Sequence, residues 1–115
     1  MEQFIYIEIN TNMKKTKTNR GFSIVKFNDT YGIPCSIQKS SSAMEDRLWI
    51  GVDDPQPKVM AINAASVGVE TNETTGWIDY PIPKEVLLAT RMHINRKQAK
   101  KIVKVLKRFI NDGEI

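Results

Sequence analysis

Arg91 and His93 are the side chains of this 115-residue chain whose type and spacing best suit chemistry. They stand two apart in an apolar run, Val86 to Ile94, that reads as a strand. Both therefore point to one face, while Val86, Leu88, Thr90, Met92 and Ile94 point to the other. A guanidinium is a planar fork of donors that matches a phosphate. A few residues on, Asn95 opens a helix, and the N–H groups and dipole at a helix start also favour negative charge. Anion binding is the chemistry this pattern offers. The plain alternative for Arg91 is a salt bridge to a carboxylate on a neighbouring strand, and for His93 an imidazole bonded to backbone in the core.

A second candidate is Gln38 to Ser42, where Lys39, Ser40 and Ser41 place an amine and hydroxyls after a strand end. That composition suits phosphate or ribose, although serine runs are also common in plain loops. Trp77, Trp49, Phe22 and Tyr80 are flat enough to stack on a base and equally suited to a core. Catalysis has little to work with. One histidine and one cysteine do not make a zinc cluster or a Cys/His pair, and the six glycines are isolated, with no phosphate-cradling loop. Glu45-Asp46 and Asp53-Asp54 are adjacent acids in polar loops, which are ordinarily solvated. The expectation is a protein that is no enzyme, with no catalytic residue, metal or cofactor, and with Cys35 as a small buried hydrophobe.

The elements that must position these residues follow from periodicity. Asn95 and Gln98 form a capping-box start, and Ala99, Ile102, Val103, Leu106, Phe109 and Ile110 recur at helical spacing up to Asn111-Asp112-Gly113. Burying those six side chains would contribute roughly 8–14 kcal/mol before entropy, so the helix requires a partner surface. Its other faces carry Arg96, Lys97, Lys100, Lys101, Lys104, Lys107 and Arg108, seven of the 17 basic residues, with no acid until Asp112. Like charges at this spacing repel, and something anionic is expected to relieve them. Val105, beside Leu106 but off the main stripe, suggests a helix shared between subunits.

Upstream, alternation predicts strands over Phe4 to Asn10, Phe22 to Asn28, Ile33 to Lys39 and Leu48 to Val52, with residues 11–19 a mobile loop. Asp53 to Pro57 ends the fourth strand, Val59 to Val69 is ambiguous between helical turns and irregular chain, and Trp77 to Pro83 is extended. Lys84 to Ala89 could form a short helix after Pro83, but a strand through Ile94 is preferred. Strands followed by one helix define an α+β class, an antiparallel sheet with a C-terminal amphipathic helix. The length fits one domain, divided into a variable strand and loop (1–19), a sheet region (20–94) and the helix (95–112).

Composition narrows the partners. With 41% hydrophobic residues and no apolar run near the roughly 18–20 residues of a membrane span, no membrane partner is expected. The N-terminus lacks a basic stretch followed by an apolar core, so no signal peptide is expected, and a lone Cys35 fits a reducing cytoplasm. A net charge of +4 and a pI near 9.3 favour an anionic partner. The excess lies mainly in the helix and in Lys14 to Arg20, and a solvated surface is the plain reading of both.

Several of these stretches together resemble a family of short phage and prophage proteins. The resemblance is carried by Arg20-Gly-Phe-Ser23, Tyr31-Gly32, Cys35 to Ser41, Glu45-Asp46, Leu48 to Asp54, Thr74 to Trp77, Tyr80 to Pro83 and Thr90 to His93, and covers about residues 20–110. The family is the first described type of Thoeris anti-defence protein. The resemblance implies a sponge that binds and sequesters a cyclic ADP-ribose isomer, glycocyclic ADP-ribose, made by a host TIR-domain enzyme, without degrading it. It also implies homo-oligomers built from dimers, up to hexamers, a second capacity for cyclic oligonucleotides in some members, and residence in the cytoplasm of the infected bacterial host. The residues expected to touch such a ligand are Arg20, Phe22, Lys39, Ser40, Ser41, Trp77, Thr90, Arg91 and His93. A basic, nucleic-acid-binding phage regulator using the lysine-rich helix as a phosphate rail is the alternative, although nucleic acid is the less expected partner.

Overall fold

Asp29 shapes the turn from which the sheet grows. Its Oδ1 accepts from the backbone N–H of Tyr31 (2.8 Å) and of Ile33 (2.9 Å), and Gly32 takes the left-handed φ of +82° that lets the chain reverse. The strands it joins are β2 (Ser23–Asn28) and β3 (Pro34–Lys39), antiparallel and in register from Ile24↔Gln38 to Asn28↔Pro34. The computed structural model describes residues 13–40 and 44–115. The strand expected over Phe4 to Asn10 lies outside them.

Three more strands complete the sheet. β1 (Lys14–Lys17) forms one edge, β4 (Arg47–Val52) pairs with β3, and the seventh strand, β7 (Arg91–Asn95), forms the other edge, giving the order β1-β2-β3-β4-β7 with every pair antiparallel. The strand β1 corrects the expected loop at 11–19. It has no apolar alternation because a strand that is exposed on both faces, at the edge of the sheet among the described residues, needs none, and lysines there discourage pairing with another chain. Gly21, at φ +85°, closes the turn back to β2.

Two compact units divide the chain, one of residues 1–53 with 90–115 and the other of 54–89. In the second unit β5 (Lys58–Met60) pairs with β6 (Trp77–Asp79), and two 3-10 turns, Ala61–Asn63 and Ala65–Val67, resolve the ambiguous segment around buried Ala61 and Ala64. The strand expected from Val86 begins only at Arg91. Pro83 accepts a turn bond from Val86 N–H (3.0 Å), and extended pairing resumes where the chain rejoins the first unit.

The C-terminal helix α1 (Arg96–Asp112) starts on the expected capping box: Asn95 Oδ1 accepts from Gln98 N–H (2.8 Å), Gln98 Oε1 accepts from Asn95 N–H (3.1 Å), and Gly113 ends it at φ +72°. An antiparallel sheet and one long helix make the fold α+β. No residue of α1 is buried, which corrects the expectation that its apolar stripe is covered: Leu106 is 52% exposed, Phe109 57% and Ile110 76%. Among the described residues no helix is long and apolar enough to cross a membrane.

Candidate functional site

Opposed residues of antiparallel strands share a face, so the register sorts the sheet's side chains into two sets. One row runs Lys14, Lys26, Ser36, Gly51, Arg91 across all five strands, and a second on the same face runs Thr16, Ile24, Gln38, Trp49, His93. The opposite face holds Val25, Ile37, Ile50 and Met92 in one row and Lys39, Leu48 and Ile94 in another. The sheet thus has a polar, aromatic face and a largely apolar one.

On the polar face five side chains converge. The Arg91 guanidinium carbon lies 5.8 Å from the Trp49 ring centre, and the Trp49 and His93 rings are 5.0 Å apart at 34°. Arg91 Nη2 is 3.6 Å from Asp53 Oδ1, and the same oxygen accepts from Ser36 Oγ–H at 2.6 Å. Ser36 is 1% exposed, and Asp53 N–H donates to Pro34 C=O (3.0 Å), so side chain and backbone both fix this carboxylate. Gly51 permits the closeness of β4 and β7, because a Cβ there would stand 2.5 Å from Thr90 O and 2.8 Å from Arg91 Cα. Thr90 adds a weak hydroxyl bond to Val52 C=O at 3.3 Å. The Trp49 indole N–H is shut off from solvent and meets no acceptor among the described residues. Buried Cys35 lies on the other face, its thiol pushed up by burial and by the charges of Asp29 and Asp53.

The other predicted residues stand apart from this group. Lys39 projects on the opposite face and at the opposite end of the sheet, bound to Asp46 at 2.6 Å, with Arg96 at 3.1 Å from that same carboxylate. Lys39, Asp46, Leu48, Ile94, Arg96 and Ala99 line a groove of about 210 Å³ at the helix start. Ser40 is buried, its N–H donating to Arg47 C=O (2.9 Å), and Ser41 lies outside the described residues. Arg20 sits over Phe22, 5.6 Å to the ring, at the β1–β2 turn, and Trp77 is an exposed residue of the second unit. The helix start is also not beside Arg91: four residues of extended chain put about 13 Å between them, and Asn95 and Gln98 already occupy two donors there.

Sequence reasoning missed Ser36 and Asp53, which read as a strand serine and a loop acid. Alternation along β3 separates Ser36 from Cys35 and Ile37, but setting it on the same side as Trp49 and Gly51 takes the β3–β4 register, which the sequence does not display. The salt bridge that stood as the plain alternative for Arg91 is present, so the arrangement is a paired cation against an aromatic wall rather than an unpaired one. His93 is exposed, not a core imidazole. No family model, curated protein or solved structure matches the chain.

Proposed function

We propose that this chain captures a phosphate-bearing cyclic nucleotide, a cyclic ADP-ribose isomer produced by a host TIR-domain enzyme, and holds it without chemical change. The observation that carries the reading is the cluster on the polar sheet face: Arg91 offers donors to a phosphate, and Trp49 and His93 offer flat rings to a base. The family resemblance over residues 20–110 supplies the identity of the ligand and the phage setting, an infected bacterial cytoplasm. Glycocyclic ADP-ribose is the proposed form, and cyclic oligonucleotides are a second proposed cargo.

Tight capture needs enclosure, since a nanomolar dissociation constant corresponds to about −12 kcal/mol and a few exposed donors do not supply that. One chain presents the cluster on an open face. A second copy laid over the uncovered stripe of α1, with Val103, Val105 and Leu106 each close to half exposed, would hide that stripe and bring another surface near the ligand. A homo-oligomer built from dimers is therefore part of the proposal, and sedimentation at micromolar concentration checks it: a monomer would contradict it.

The capture itself is tested by mixing the protein with the TIR product, removing free ligand, heating, and identifying what is released. Intact ligand is the expected result. No capture, or an altered product, would defeat the proposal. The nucleic-acid reading predicts instead a steep loss of affinity for duplex DNA between 50 and 200 mM salt, with a slope of about −0.9 per phosphate neutralised.

A further inference from the structure

We infer that Asp53 is a charge filter beside Arg91, reducing the advantage that a phosphate group carrying two negative charges has over one carrying a single charge; this rests on the sequestration reading above. Arg91 is not a free cation. Its partner carboxylate is held by a buried hydroxyl, Ser36 Oγ–H at 2.6 Å, and by the backbone bond of Asp53 to Pro34, so it does not swing aside when an anion arrives. A phosphate that docks on the open side of the guanidinium also meets the immobile negative charge of Asp53. At the intermediate dielectric of a partly exposed site, Asp53 resists each unit of phosphate charge by about tenfold in binding, against the stronger attraction of the nearer guanidinium.

The consequence is selectivity of a useful kind. A diphosphate esterified at both ends carries one charge on each phosphorus, whereas a terminal phosphomonoester, as in ADP, carries about −1.5 to −2 at neutral pH. Lys14 and Lys26 share the row of Arg91, so this face without Asp53 would prefer the more highly charged ligand. The carboxylate cuts that preference, and the size of the cut is what an experiment reads.

The test compares calorimetric binding of ADP with that of the cyclic ADP-ribose isomer recovered in the capture assay, at pH 7.5. Asp53→Asn keeps an Oδ1 acceptor for Ser36 and removes the charge. The filter predicts that ADP binding tightens about tenfold more than binding of the cyclic ligand. Equal changes for the two ligands, or weakening of both, would overturn it. Asp53→Ser removes the charge with a different side chain, so the same relative gain for ADP is expected from it, with an unchanged far-ultraviolet circular dichroism spectrum as the check that either variant is folded. Absence of a relative gain for ADP in a folded variant overturns the inference. Preserved capture with unchanged selectivity sinks the filter alone, whereas absence of capture by the unaltered chain sinks the sequestration reading with it.

Discussion

At one end of the five-stranded sheet Arg91 and Asp53 meet with side chains 31% and 26% exposed, while at the other Lys39 and Arg96 converge on an Asp46 that is 50% exposed. Both ends use a cation beside a carboxylate. At the Arg91 end the pair is backed by the Trp49 ring and a buried serine, so its geometry is set before any ligand comes. At the Lys39 end flexible side chains meet in water, where such pairs contribute only about 0–1 kcal/mol and are screened by salt. The difference teaches that two cation–carboxylate pairs of the same sheet differ in how firmly they are held, and the proposed site is placed at the one whose charge is immobilised beside an aromatic surface.

Gly51→Ala should break the preorganised end most severely. The added Cβ meets backbone at 2.5 and 2.8 Å, so β7 must shift off β4, and we expect a loss of about 1–3 kcal/mol in urea unfolding. A variant as stable as its parent would mean that β7 is not held where the register places it. Next, Arg91→Ala should weaken capture at least tenfold, about 1.4 kcal/mol, with the far-ultraviolet circular dichroism unchanged. Unchanged affinity would move the site away from this end altogether.

The opposite end should respond more mildly. Asn95→Ala removes the cap on which the helix start depends and is expected to cost about 1 kcal/mol, read as a lower thermal midpoint with loss of helical signal. Lys39→Ala should change capture by less than about threefold, because its ammonium already has Asp46 and lies on the other face of the sheet. A larger loss would make the two ends one site.

How far these features were legible follows from the range of the forces behind them. The capping box, the glycine stop and the β2–β3 turn are built from residues within a few positions of one another, so spacing revealed them. The extent of β7 was misread because Val86 to Ala89 alternate like a strand, yet Val86 N–H turns back to Pro83 C=O and pairing with β4 begins only at Arg91. The face shared by Arg91 and His93 was legible from alternation alone. The roles of Ser36 and Asp53 were not, since they depend on register between β3, β4 and β7, which no local pattern in the chain encodes.

The smallest expected effect distinguishes the two ends by acid. Lys39 holds the Asp46 carboxyl below its ordinary value, first by hydrogen bond and then by charge, with Arg96 adding to it. A carboxylate lowered in the folded state stabilises the fold at pH above the unfolded value of about 3.8, and that contribution disappears as pH falls through the lower folded value. Thermal midpoints of the parent and Asp46→Asn should therefore differ slightly at pH 6, converge as the pH drops below 3.8, and differ less at 500 mM salt than at 50 mM. A gap that persists in acid would show that Asp46 acts by shape, and would bring this end closer in kind to the fixed geometry around Asp53.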